Sequence, residues 1–435
     1  MRIAVFIAVL LLSAIPSRVR GVLPSGATSI DQSAFALGSM SLNVIFVESD
    51  GTIDANQEDW SAAQVSKIQQ EISQSVAFWE GLTSGNHPNA QLSIDVNYVN
   101  SGVPLTTNYE PITRSTTEEH LWINQVMSGL GYNGTGVFGK FSNVRNYNND
   151  QRDNSDTHWA TTMFVVNDLI DANNRFANGG FAYAYLGGPF MVLTYGNNGW
   201  GADRFHRVAA HELGHAFFAL DEHFASNSRQ FDLSGYLNYP NLNAERDSNG
   251  NRITPPQPNS LMLNNVLEPS VSTSYQVGHR DLDDDTIPEI LDTFPILTGD
   301  DIGSESELGR FVFNGLAEVN PLTNRNDAAF AFSNSRADMS INWIDSAWYN
   351  LDEQGWQPVP AIDGSYDLDS EAVGFALDDL NFGIHNIDVK VFNSVENPSE
   401  ILSFTFDSTV PEPAAIWLLW MALCRLNCRH RILAR

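Results

Sequence analysis

Cysteine is nearly absent from this chain of 435 residues: only Cys424 and Cys428 occur, both close to the C-terminal end. The body of the protein therefore has no disulfide framework and no thiolate-bound metal, and any metal site there must use His, Asp, Glu or backbone oxygen. Positive charge is scarce as well. Lys and Arg number 23 against 52 Asp and Glu, a formal net charge of −29. Such a balance argues against nucleic-acid binding and against adsorption to anionic lipid, both of which need a basic surface. Long apolar runs are also missing, and a mean hydropathy of −0.20 excludes a polytopic membrane protein. What is abundant is core-forming material. Hydrophobic residues make up 43% and aromatics 11%, which excludes global disorder. At about 150 residues per domain the length suggests two or three domains.

The ends carry their own patterns. Met1 and Arg2 lead into a short apolar run, so residues 1–21 read as a secretory signal, too short to span a bilayer. At the other end come Val410-Pro411-Glu412-Pro413, an apolar stretch over 414–424, and the basic residues Arg425, Arg429, His430, Arg431 and Arg435. That order resembles the PEP-CTERM sorting signal of Gram-negative bacteria, here residues 410–435. The resemblance implies an exosortase-type processing enzyme as partner and transient membrane contact through the two termini only. It also implies export to the cell surface, the outer membrane or the medium.

Between the ends the patterning changes once. Apolar strand-like runs at 42–48, 92–99 and 162–166 alternate with helix-period stretches at 60–79, 116–130 and 203–220. A Gly- and aromatic-rich segment at 179–195 suits one or two strands. The order predicts a mixed α/β domain over 28–300, with Asp203 as N-cap of its last helix. Over 310–408 short alternating runs are punctuated by turn residues, which predicts an all-β sandwich. The phrase at 383–392 is similar to a strand of bacterial Ig-like modules.

The densest chemistry lies in His211-Glu212-Leu213-Gly214-His215. Two histidines four apart share one helical face, so both imidazoles reach a single zinc ion, and Glu212 can serve as general base toward an attacking water. Extended to Asp221, the spacing HExxHxxxxxD resembles the metzincin clan of zinc peptidases, a zincin-type α/β fold; the ending Ala219-Leu220-Asp221-Glu222-His223 is also similar to bacterial IgA-peptidase-like zincins. The resemblance makes Asp221 the third zinc ligand, with His223 or Glu222 as alternatives. A continuing helix would carry Asp221 away from the histidines, so the chain must turn near residue 218. Metzincins place Gly there; Phe218 in a left-handed conformation costs about 1–2 kcal/mol. Met262 matches the clan's Met-turn, an apolar floor beneath the histidines, and Tyr275 is a candidate for oxyanion stabilisation.

The segment 181–193 is the expected edge strand for an extended polypeptide substrate, while Trp200 and Phe217 are candidates for cleft or core. His206 and His279 read as structural. A second acidic feature places Asp281, Asp283, Asp285, Glu289 and Asp292 at positions 1, 3, 5, 9 and 12 of an EF-hand-like calcium loop, with Thr286 where Gly is usual. A metal-free acidic surface loop is the alternative. The reading is an exported zinc endopeptidase. Its rivals are a surface adhesion protein with a degenerate site and a zinc amidase acting on cell-wall material.

Overall fold

The buried run expected at 42–48 is the heart of strand β1 (Gly38–Ser49) in this computed structural model, which describes residues 23–55, 58–328 and 336–409. The signals expected at 1–21 and 410–435, both cysteines and the apolar run at 329–332 lie outside the described residues. The chain forms two compact units. Of the described residues, the first holds those up to Asp292 together with those of Pro321–Ile341, and the second holds Thr293–Asn320 and those from Asn342 onward. The division thus falls ahead of the 300–310 boundary read from the sequence, because residues 296–300 pair within the second unit.

In the first unit β1 is followed by helix α1 (Ala62–Leu82), β2 (Leu92–Tyr98), β3 (Leu105–Thr107), helices α2 (His120–Gly129) and α3 (Gly136–Ser155), and β4 (Trp159–Val166). Then come β5 (Ala182–Ala184), β6 (Phe190–Thr194), α4 (Phe205–Ala216), the short pair β7 (Leu233–Ser234) and β8 (Tyr239–Pro240), and the short helices α5 (Leu261–Asn264) and α6 (Val271–Gln276). The main sheet has the order β2-β1-β4-β6-β5, with β3 also on β1. Every pair is parallel except β5, which runs antiparallel to β6. All eight residues of β4 and all five of β6 are buried, the continuous apolar pattern of strands covered on both faces.

Helix α1 starts at Ser61 in a capping box with Gln64 and buries Ile68, Ile72, Val76 and Trp79. It packs against α4, where the Trp79 indole N–H donates to the Ala210 carbonyl at 3.1 Å. Trp122, Ile123, Val126 and Met127 of α2 join Val144 and Tyr147 of α3 in a cluster with Phe164, Phe190 and Val192 of the sheet. Helix α3 was not expected from periodicity. Beside Val144 and Tyr147 it carries Lys140, Asn143, Asn148 and Arg152 inward, and hydrogen bonds interrupt the apolar stripe: Asn148 donates to Gln32 and to the Pro189 carbonyl, both at 2.8 Å. Helix α4 is shorter than 203–220 at both ends. Arg204 stands at the N-cap position, and Asp203, in a preceding 3-10 turn, pairs instead with Lys67 at 2.7 Å.

The second unit is all antiparallel. Strand β9 (Ile296–Asp300), β10 (Phe311–Glu318) and β13 (Ser370–Leu377) form one sheet; β11 (Ile344–Leu351), β12 (Trp356–Val359), β14 (Gly383–Asn393) and β15 (Leu402–Ser408) form the other. Phe311 and Phe313 of the first meet Ile387, Val389 and Val391 of the second in one shared core.

Candidate metal centre

Helix α4 carries His211 and His215 with ring centroids 4.9 Å apart. It ends in a left-handed residue at the position expected: Phe218 has φ +71°. The Phe218 N–H donates to the His215 carbonyl at 2.9 Å and the Ala219 N–H to the Gly214 carbonyl at 2.9 Å, the two bonds of a Schellman turn. The strain of about 1–2 kcal/mol is offset because the Phe218 ring is fully buried, worth about 2–3 kcal/mol. This turn also sets the site. It aims the Ala219 carbonyl at His215 Nδ1, 2.8 Å away, and leads the chain back to Asp221.

His211 is held in the same way from elsewhere in the unit, its Nδ1 donating to the Leu261 carbonyl at 2.9 Å. With both Nδ1 protons fixed by carbonyls, Nε2 is the atom each ring offers to a metal. These atoms lie 3.1 Å (His211) and 3.4 Å (His215) from Asp221 Oδ1. Ligand atoms around a tetrahedral zinc stand about 3.3 Å apart. His211, His215 and Asp221 form one of two groups of side chains among the described residues whose ligand atoms lie within 4.8 Å of one another. The donor set of two neutral imidazoles and one carboxylate fits zinc.

Burial alone would push the Asp221 carboxyl up, but the imidazoles of His215, His211 and His223 outweigh it and hold it well below the usual carboxylate range. His215 responds in kind. Burial pushes it down, yet the carboxylates of Asp221 and Glu212 raise it to about 9. That proton is the one a metal ion displaces.

The two alternative ligands are placed differently. Glu222 is buried and faces away, its carboxylate accepting from Ser260, Ser270, Thr273 and Asn243, so it is not part of the cluster. His223 brings Nε2 to 3.1 Å from Asp221 Oδ1, while its Nδ1 accepts the Ser226 N–H at 3.1 Å. Met262 is fully buried against α4: a Cβ added at Gly214 would stand 3.0 Å from its sulfur. Leu261 and Met262 thereby serve the cluster side by side, one through its carbonyl and the other through that packing.

Glu212 is buried, and its Oε2 has no hydrogen-bond partner. Burial pushes its carboxyl up, and the neighbouring His211 and His215 offset this in part. It lines a cleft of about 660 Å³ together with Trp200, His223, Ala182 and Ala184. Phe217 belongs to the core instead, 5.5 Å from the Trp79 ring. Tyr275 does not reach the cleft; it stacks edge-on against Tyr239 and lies beneath Arg280. Tyr275 is therefore not among the residues that line the cleft with Glu212.

Strand β5 is the sheet edge beside this cleft. The Thr194 N–H donates to the Phe181 carbonyl at 3.0 Å and the Tyr185 N–H to the Phe190 carbonyl at 3.3 Å. By the alternation of an antiparallel ladder, the backbone groups of Ala182 and Ala184 face the open side. Sequence reasoning missed what anchors this strand. The hydroxyls of Tyr183 and Tyr185 both donate to Glu119, whose buried carboxylate pairs with Lys140 of the unexpected helix α3.

The acidic loop gathers Asp281, Asp283 and Asp285 into the second such group, with Asp283 and Asp285 exposed. Glu289 and Asp292 are not part of it. Asp281 accepts the N–H groups of Asp284 and Thr286 at 2.9 and 3.0 Å, and Glu289 accepts that of Leu282 at 3.0 Å. His279 donates to the Ala36 carbonyl at 2.9 Å and His206 pairs with Glu71 at 2.5 Å, both away from the cleft.

No protein-family model matches the sequence, and no curated protein gives a significant match. Among solved structures, wild-type OgpA from Akkermansia muciniphila aligns over 89% of this chain and 98% of its own, at 11% identity and a TM-score of 0.26. A second crystal form aligns over 87% and 94%, at 9% identity and 0.26. Catalytically inactive OgpA in complex with an O-glycopeptide (glycodrosocin) substrate aligns over 89% and 97%, at 10% identity and 0.24. Scores of this size assign neither a family nor an activity, and the site's chemistry rests on its own residues.

Proposed function

We propose that this protein is a zinc-dependent endopeptidase of metzincin-like design. The observation that carries the reading is the convergence of two imidazoles, each with Nδ1–H fixed by a carbonyl, on the Asp221 carboxylate, with the unpartnered Glu212 Oε2 in the same cleft. His211, His215 and Asp221 would hold the zinc. When bound, it supplies a Lewis acid that polarises a carbonyl and acidifies water. An extended polypeptide pairs with the outward N–H and C=O groups of Ala182 and Ala184, whose small side chains allow a close approach. Glu212 Oε2 takes a proton as the water oxygen bonds to the scissile carbonyl carbon. It returns that proton to the leaving nitrogen as the C–N bond breaks. Its raised pKa suits both halves of this exchange.

The reading extends to export through residues 1–21, exosortase-type processing at 410–435, and an Ig-like role for the second unit. Casein cleavage by the purified protein beside Glu212→Gln tests the enzyme. Cleavage should fall by about 10²–10⁴-fold in the variant with zinc content unchanged; equal cleavage by both would overturn it.

A further inference from the structure

Three imidazoles surround one oxygen, Asp221 Oδ1, at 3.1, 3.4 and 3.1 Å for His211, His215 and His223. The backbone assigns their protons differently. His211 and His215 each turn Nδ1 to a carbonyl, of Leu261 and of Ala219, so the proton of the neutral ring sits on Nδ1. His223 turns Nδ1 to an amide instead, accepting the Ser226 N–H at 3.1 Å in a turn where that N–H also reaches the His223 carbonyl. Ser226 Oγ closes the same turn by donating to the His223 carbonyl at 2.8 Å. The proton of a neutral His223 ring is thereby placed on Nε2, the atom facing Asp221. To offer Nε2 to a metal, the neutral ring would have to carry its proton on Nδ1, against the Ser226 N–H.

Among the described residues, the hydrogen-bond and ion-pair partners of the Asp221 side chain are these three rings. Once His211 and His215 are given to a metal, His223 is the donor that remains. We propose, on the reading of this cluster as a zinc centre, that His223 is a positioning residue. Its Nε2–H orients the Asp221 carboxylate as third ligand, and the Ser226 amide keeps His223 itself out of the coordination shell. Orienting donors of this kind set ligand geometry and metal affinity.

The test is zinc affinity, by competition with a chromophoric chelator, and the visible spectrum of the cobalt(II) form, on the full chain. His223→Leu should bind one zinc with affinity lowered about 10–100-fold. His223→Gln, which retains an N–H donor, should recover most of that loss, and all three proteins should share one cobalt spectrum. Unchanged affinity in His223→Leu would overturn the positioning role. Lost stoichiometric binding with an altered cobalt spectrum would make His223 a ligand and overturn it equally. A wild-type chain that binds no zinc would overturn the zinc reading itself, and the proposal with it.

Discussion

Two clusters of ligand atoms in the first unit could each receive a cation, and they are built in opposite ways. Asp221 lies among three imidazoles, at the end of a helix whose turn, tautomers and floor are all fixed by buried backbone. Asp281, Asp283 and Asp285 face mostly one another at the surface, and Asp281 is already occupied by N–H groups of its own loop. The electrostatics diverge accordingly. Imidazoles hold Asp221 down, whereas burial and the neighbours Asp285, Asp292 and Asp281 push Asp283 up. Preorganised nitrogen donors beside a low-lying carboxylate suit a cation; like charges on a loop do not by themselves mark a site.

A third setting sharpens the contrast. Glu58 and Glu110 are as buried as the centre but have carboxylates for neighbours, Asp168 and Asp59 beside the one, Glu58 and Asp54 beside the other. Burial first and these charges second push both up to about 7. One oxygen of Glu58 lacks any partner.

The largest expected effect breaks the centre outright. His215→Ala should lose stoichiometric zinc and, with it, activity by on the order of 10³-fold or more, whereas Asp283→Asn should leave both unchanged. Next, Phe218→Gly should relieve the left-handed strain yet remove a buried ring, for a net loss of about 2 kcal/mol in denaturant unfolding. A gain in stability would show that the ring's burial does not offset the strain.

The buried acids give a pH signature of known sign. The fold raises Glu58 from 4.5 to about 7, so the folded state binds its proton more tightly than the unfolded state. Stability is therefore lost as pH rises from 4.5 through 7. Glu58→Gln should stabilise by on the order of 1–3 kcal/mol at pH 8, with no gain at pH 4. A gain independent of pH would assign the effect to packing instead. Smallest is the loop, where Asp283→Asn should change stability by less than about 0.5 kcal/mol. A thermal transition that falls on calcium chelation, and does so in wild type but not in the variant, would put the loop on a par with the centre.

How much of this was legible in the sequence follows from range. The pairing of His211 with His215 is a property of four residues in a helix, and the turn at Phe218 follows from the need to bring Asp221 back. The tautomers were not legible. They depend on the Leu261 carbonyl, fifty residues from His211, and on an amide at Ser226 whose direction only the folded turn defines. Helix α3 escaped because Lys140, Asn143, Asn148 and Arg152 share its inward face with Val144 and Tyr147, so polar residues with distant partners interrupt the apolar period. With it went the Lys140–Glu119 pair that anchors the cleft edge. The unit boundary was missed because β9 precedes the sandwich-like runs, and residues 321–328 and 336–341 return to the first unit by contacts such as Tyr236 with Met339.

The most direct test of the centre is anomalous diffraction at the zinc edge from crystals of the purified protein. One peak bounded by His211 Nε2, His215 Nε2 and Asp221 Oδ1 at about 2.0–2.2 Å is the predicted result. A peak ligated through His223 in place of Asp221, or zinc found only at the Asp281–Asp285 loop, would contradict it.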